Sequence, residues 1–197
     1  SYANKISIAS YARNKGKGFA LRAGFRKIQE LGYDSVITLD SDGQHNPEDI
    51  PLMLQAQKVH PGKMLMGTRD LDAAGAPGKS SFGNKFSNFW FWVETGWKLP
   101  DTQTGFRLYP IDAVNSQSYM TRGFAFEVEC IVKMAWAGVE FLPVKINVDY
   151  PEDRITHFKP FKDFAKISLL NTHFFTIAVL WFIPKRWIRR MLGKSRY

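Results

Sequence analysis

The chain of 197 residues predicts an α/β sandwich, with helices packed on a largely parallel sheet. Three observations lead there. Short β-like runs alternate with amphipathic helical ones along the whole chain. A near-continuous apolar run, SVITLD, ends on Asp40 and passes through one polar turn into a clearly marked helix. No internal repeat, low-complexity stretch or interdomain linker interrupts the pattern, and a chain 45% apolar and 15% aromatic can bury one sizeable core but hardly two.

In chain order, the strand candidates are NKISIAS (4–10), SVITLD (35–40), KMLMGT (63–68), TGFRLYP (104–110) and VEFLPVKINV (139–148). The helix candidates are residues 18–31, 47–59, 82–97, 124–137 and 161–182. The first opens at Gly16 and Gly18. The second has Asn46 as N-cap, Pro47 at the first helical position and Glu48 and Asp49 in the first turn. Between the second and third, RDLDAAGAPGKSS (69–81) is long for a loop between packed elements, so a mobile loop over a site is expected. The aromatic run FSNFWFWVETGW (86–97) invites a lipid-binding reading, but aromatics supply most of the area of such cores and helix packing is the favoured one.

Cys130 is the only cysteine and lies in the helical run FEVECIVKMAWA, where it reads as a buried thiol. Disulfides are excluded, and a reducing compartment is expected. The formal net charge is +9, yet KRWIRRMLGKSRY at the end carries six Lys or Arg and no acid, leaving +3 on residues 1–184. Basicity concentrated in a tail argues against a nucleic acid partner gripped along the body. It sits beside ISLLNTHFFTIAVLWFIP (167–184), about long enough to cross a bilayer but interrupted by Asn171, Thr172 and His173. Spanning, lying in the interface with Lys185, Arg186, Arg189 and Arg190 on anionic headgroups, and burial as a core helix are the three readings. The opening SYANKISIAS lacks the apolar stretch of a signal peptide.

The most informative segment is SVITLDSDGQHNPEDI. Ligand sites of α/β sheets lie at the carboxyl ends of strands, where Asp40, Asp42, Gln44 and His45 fall. Two carboxylates one residue apart can both reach a hard divalent cation, Mg²⁺ or Mn²⁺, and leave coordination positions for diphosphate oxygens. Such a cation neutralises a departing nucleoside diphosphate. The bland reading is an Asx turn closing a strand. An EF-hand loop counted from Asp40 fails, with His45 and Pro51 where Gly and Glu are required. GKS (78–80) fails as a P-loop ending because the motif's first glycine falls on Ala73.

Two further pieces carry chemistry. NKGKGFALRAGF (14–25) places glycines at a helix start, leaving backbone N–H groups for an anion, with Lys15 and Lys17 beside them; a tight turn with solvated lysines is the alternative. DTQTGFRLYP (101–110) sets Asp101, Gln103 and Arg107 around a glycine before an apolar run.

Taken in order, these pieces resemble the family 2 inverting glycosyltransferases that include dolichol-phosphate mannose synthase and other polyprenyl-phosphate glycosyltransferases. NKGKGFALRAGF is similar to the family's asparagine-x-glycine-lysine-glycine helix opening, and DSDGQH to its aspartate-x-aspartate-x-glutamine segment. MGTRD resembles its glycine-serine-arginine turn, DTQTGFRLY its aspartate-x-x-x-glycine-phenylalanine-arginine motif, and YPEDRITHFKPFKDF the basic segment before its membrane-proximal helices. The resemblance implies a GT-A, Rossmann-like nucleotide-sugar-binding sandwich over residues 1–160 and a membrane-associating hydrophobic and basic helix over 161–197.

Carried over residue by residue, it implies a metal site of Asp40, Asp42 and Gln44 and donor contacts from Gly16, Lys17, Asp40 and Arg69. Acceptor or phosphate contacts would come from Gln103, Arg107 and Arg154, with His157 and Lys159 near them, since guanidinium groups bind phosphate bidentately. Lys79 or Lys85 would stand where the family has a second arginine. The implied reaction moves a sugar from a GDP- or UDP-linked donor to a lipid-linked acceptor with inversion, at the cytoplasmic face of a membrane. Polyprenyl phosphate needs no strong base because it is already ionised; a hydroxyl acceptor would need one, Asp101 first and Glu127 second.

One departure stands out. The family's first strand and its second, ending in paired aspartates that contact the base, have no counterpart here, so the chain is expected to lack its N-terminal strands. Exposed strand edges, poor solubility or a missing partner segment would follow. Two other functions fit parts of the pattern: a sugar-phosphate nucleotidyltransferase, and a non-catalytic membrane-binding module.

Overall fold

The computed structural model describes residues 7–70, 78–148 and 160–191, with the side chains of 78–81, 160–163, 186, 187, 189 and 190 outside that description. Four strands, β1 (Ser35–Thr38), β2 (Met64–Thr68), β3 (Arg107–Pro110) and β4 (Phe141–Lys145), form one sheet in the order β1-β3-β2-β4. Helix α1 (Lys17–Glu30) precedes β1. A 3₁₀ turn (Pro47–Asp49) leads into α2 (Ile50–Val59), and α3 (Gly78–Thr95) follows β2. After β3 come α4 (Ile111–Asn115) and α5 (Ala125–Trp136), and α6 (Pro160–Ile177) runs through a π turn (Ala178–Phe182) into α7 (Ile183–Met191). Pro184 has no N–H to donate back one turn, and the π turn lies immediately before it.

The sheet alternates its side chains between two helical layers, as a period-two strand must. Leu65, Phe106 and Leu108 join Met53 of α2 and Ile146 in the smaller core. Met64, Met66 and Tyr109 face the larger core, closed by Phe25 of α1, Phe91 of α3, Phe126 and Ile131 of α5 and Phe174 of α6. Cys130 is buried there, and burial pushes its thiol up to about 12, so it stays protonated.

The α/β layering agrees with the sequence, and the sheet is mixed, with one of its four strands reversed. β1, β2 and β4 point the same way, with β2 and β4 paired in parallel, and β3 runs antiparallel to its neighbours β1 and β2. An apolar run reads the same in either direction, so its direction is set by the connection. Here residues 96–106 carry the chain back to the end it left, and Arg107 pairs with Thr38 at the carboxyl end of β1 and with Met66 of β2. This reversal matters for function, because it puts the segment before β3 at the same end as the segments after β1 and β2.

Other differences are local. Residues 7–10 of NKISIAS are exposed and unpaired, and residues 4–6 lie outside the described residues. The five-residue α4 is too short to show helical periodicity. The aromatic run of α3 is split: Phe91 is buried, Phe86 and Trp90 pack edge-on or tilted against Phe164 and Phe175 of α6, and Phe82, Phe89 and Trp92 face outward. Most of the loop expected to be mobile, and the segment carrying Arg154, His157 and Lys159, lie outside the described residues.

Candidate functional site

The site forms where β1 and β2 end and β3 begins. Gly16 opens α1 with φ +91°, a conformation that favours glycine, and a Cβ there would stand 2.6 Å from the Arg122 carbonyl. Asn14 Oδ1 accepts the Gly16 N–H at 2.8 Å, and the Arg122 carbonyl accepts the Phe19 N–H at 3.0 Å. That second loop is held in turn by Glu129, whose carboxylate accepts the N–H groups of Met120 and Thr121, both at 2.8 Å. Burial alone would raise the Glu129 carboxyl; hydrogen bonds from Lys133, Thr121 and the two amides outweigh it and hold it below its usual range.

The tight opening aims Lys17 across the site. Its Nζ lies 2.7 Å from Asp40 Oδ1 and 2.7 Å from Glu127 Oε2, so one ammonium joins the end of β1 to the first turn of α5. Asp40 is wedged against Gly105, where any Cβ would collide with its carboxylate. Asp42 Oδ1 accepts the Gln44 N–H at 3.2 Å, closing an Asx turn. The residue types of this turn, two carboxylates and an amide, are those a hard divalent ion takes, and the cation on Asp40 in this structure is the Lys17 ammonium, which a metal would displace. Among the described residues no group of three or more His, Cys, Asp or Glu converges as a metal site.

His45 is buried beneath this turn, its ring 5.7 Å from Phe106. Its Nδ1 accepts the Asp40 N–H at 3.4 Å, which puts the proton on Nε2. Burial lowers its pKa, and the Arg69 charge adds to this against the pull of Asp40, so the ring is neutral at pH 7. An antiparallel bridge from His45 to Val148, and Asp49 Oδ2 accepting the Asn147 N–H at 2.6 Å, tie the turn to the chain leaving β4.

Two predicted roles require correction. Asp101, the first candidate base, is 1% exposed and fully engaged. Arg69 grips it through Nε at 2.5 Å and Nη2 at 3.0 Å, and Asn84 Nδ2 and the Gln103 N–H donate to Oδ1 at 2.5 and 3.1 Å. A carboxylate saturated by that many donors has no lone pair left for a substrate proton. Arg107, expected to contact phosphate, is also 1% exposed and points inward. Its donors go to the carbonyls of Thr104 (2.7 Å), Thr102 (2.9 Å) and Glu127 (3.2 Å) and to Tyr109 Oη (3.3 Å). It holds the segment before β3 to the start of α5 and cannot reach a ligand.

The remaining expectations divide. Gly16, Lys17, Asp40 and Glu127 come together, with Asp42 and Gln44 on the same turn, and Arg69 approaches from β2. Gln103 is exposed and donates to the Gly83 carbonyl at 3.2 Å. Lys85 is exposed on α3, while Lys79's side chain and Arg154 lie outside the described residues. An open pocket of about 400 Å³ is lined wholly by residues between Ala9 and Ala20 and meets this cluster at Gly16 and Lys17. The sequence reading missed Gly105 as a packing requirement, although it stands inside a quoted motif. It also missed Asn84 and Asn88, whose signal is two amides four residues apart within an aromatic helix.

Against known families, residues 1–117 match the model described as Glycosyl transferase family 2. The chain belongs to this family. Among curated family relatives, it is 29% identical over 177 residues to the UDP-N-acetylglucosamine--dolichyl-phosphate N-acetylglucosaminyltransferase of Methanococcus voltae, covering 85% of this chain and 70% of that one. It is 26% identical over 148 residues to the undecaprenyl-phosphate mannosyltransferase of Micrococcus luteus, covering 72% of this chain and 60% of the relative. Among solved structures, it superposes on glucosyl-3-phosphoglycerate synthase from Mycobacterium tuberculosis in complex with Mn²⁺, UDP-glucose and phosphoglyceric acid. The TM-score is 0.52 at 14% identity, with 89% of this chain and 57% of that chain covered. That likeness shows the GT-A fold. Family 2 membership and relatives named for polyprenyl carriers favour neither the nucleotidyltransferase nor the membrane-module alternative.

Proposed function

We propose that this chain carries the catalytic machinery of a metal-dependent inverting glycosyltransferase, moving a sugar from a GDP- or UDP-linked donor to a polyprenyl phosphate. The supporting observation is the cluster in which Lys17 Nζ stands 2.7 Å from both Asp40 and Glu127, beside the Asp42 turn and the Arg69–Asp101 pair. In this reading Asp40, Asp42 and Gln44 hold Mg²⁺ or Mn²⁺, which when bound offsets the charge of the nucleoside diphosphate. Lys17, at the glycine-rich opening of α1, receives donor phosphate, and Arg69 presents its guanidinium from the end of β2.

The acceptor phosphate oxygen attacks the anomeric carbon in line, and the bond from that carbon to the diphosphate oxygen breaks. An ionised phosphate needs no proton removed. Asp101's engagement therefore suits this acceptor, and Glu127 is the carboxylate that would serve a hydroxyl acceptor. Residues 1–160 form the transferase domain in this reading, and 161–197 bring it to the cytoplasmic face of a membrane. Support for the second part comes from Phe164–Lys185, long and apolar enough to cross a bilayer.

The test is calorimetric binding of GDP- and UDP-sugars to the intact chain, with and without Mn²⁺, alongside Asp42→Ala. Mn²⁺-dependent binding that Asp42→Ala abolishes is expected. Binding unaffected by Mn²⁺, or none to the folded chain, would overturn the reading.

A further inference from the structure

Helix α3 carries a polar ladder that starts from buried Asn84 and runs to half-buried Asn88. Asn84 is 2% exposed and donates through Nδ2 to Asp101 Oδ1 at 2.5 Å. One turn on, Asn88 Nδ2 donates to Asn84 Oδ1 at 2.5 Å and to the Pro100 carbonyl at 2.7 Å. Asn88 Oδ1 accepts the Thr102 N–H at 2.9 Å and the Thr102 hydroxyl at 2.7 Å.

The chemistry at the two ends leaves this ladder one orientation. An ionised carboxylate only accepts, so Asn84 must turn its NH₂ toward Asp101 and its oxygen toward Asn88. A backbone N–H only donates, so Asn88 must turn its oxygen toward Thr102 and its NH₂ toward Asn84. Neither amide can flip without setting donor against donor or acceptor against acceptor at both of its ends. Apolar side chains at 84 and 88 would leave the Asp101 carboxylate, the Pro100 carbonyl and the Thr102 N–H each short of a partner that the amides supply. What the amides add is direction. They fix the rotation of the Asp101 carboxylate, whose two oxygens carry the Arg69 guanidinium.

We propose that Asn84 and Asn88 are positioning residues that act through Asp101 to aim Arg69 at the donor phosphates. This rests on the reading of Arg69 as a phosphate contact. Neither asparagine touches the ligand.

The experiment measures Mn²⁺-dependent affinity for UDP and GDP, by calorimetry on the full chain, in wild type, Asn84→Ala, Asn84→Ser, Arg69→Lys and the Asn84→Ala/Arg69→Lys pair. Asn84→Ala is expected to weaken the nucleotide that binds by about tenfold. Asn84→Ser, close to alanine in size but keeping a donor, is expected to recover part of that loss. The double variant is expected to bind no worse than Arg69→Lys alone, since both changes break one chain of action. Equal losses in the alanine and serine variants, additive losses in the double variant, or a lowered melting temperature with affinity unchanged would each overturn the proposal. An Arg69→Lys variant that binds like wild type would instead overturn the phosphate-contact reading, and the positioning role with it.

Discussion

At the scale of single residues, the site is governed by which charges are spent before a ligand arrives. Asp101 and Arg107 have the residue types of a base and a phosphate clamp, but each is buried with its hydrogen-bonding capacity used internally. Burying a charge is tolerable only when it is fully paired, so full pairing and ligand binding compete for the same atoms. Gly105 shows a steric version of the same constraint, because the Asp40 carboxylate occupies the space a side chain would need. Gly105→Ala is expected to displace Asp40 and cut Mn²⁺-dependent nucleotide binding by at least about tenfold, while costing roughly 1–3 kcal/mol of stability by overpacking. Calorimetry and urea unfolding of the same preparation check both, and wild-type affinity in the variant would show that Asp40 is not held by this contact.

At the scale of elements, α3 has three faces with different tasks. Its amides face the Asp101 segment, Phe91 enters the core, and Phe82, Phe89 and Trp92 stay exposed. Near its end Glu94 is 1% exposed with neither carboxyl oxygen paired among the described residues, and burial pushes its pKa from 4.5 to about 8. The Glu94 carbonyl accepts the Trp136 indole N–H at 3.0 Å, and Trp136 stacks on Phe182, so Glu94 belongs to the layer where α6 docks. A raised folded-state pKa means the neutral acid is what folding accommodates. Its contribution is fully present below about 4.5 and is lost as pH rises to about 8. The melting temperature of wild type should therefore fall relative to Glu94→Gln as pH is raised across that window, at about 1.4 kcal/mol per unit of pKa difference. Parallel melting profiles for the two proteins would refute the assignment.

At the scale of the whole molecule, α6 joins two environments. Leu170, Asn171, Phe174 and Ala178 form a buried stripe against the domain, whereas Leu169, Leu180 and Trp181 are 73%, 72% and 65% exposed. An apolar stripe left outside a packed helix calls for a further apolar surface, and the adjoining basic tail suits anionic headgroups. The intact chain is expected to float with vesicles containing phosphatidylglycerol, and replacing Leu180 and Trp181 together by serine should weaken that association by at least about tenfold. Unchanged flotation of the double variant, or none of the wild type, would remove the membrane role of this face.

Much of this was legible in the sequence, for identifiable reasons. The Asn46 cap with Pro47, the apolar run ending on Asp40 and the glycine-bracketed Lys17 are local signals, set by backbone and side-chain preferences within a few residues. They determined the α/β class, the turn that carries the aspartates and the helix start beside it. Strand direction, by contrast, depends on where a connection returns the chain, and the antiparallel β3 is what delivers Asp101 and Gly105 to Arg69 and Asp40. Whether a charged residue meets ligand or protein depends on neighbours distant in sequence. Arg107 meets the Glu127 carbonyl twenty residues on, Asp101 meets Arg69 thirty-two residues back, and only the packed structure decides such pairings.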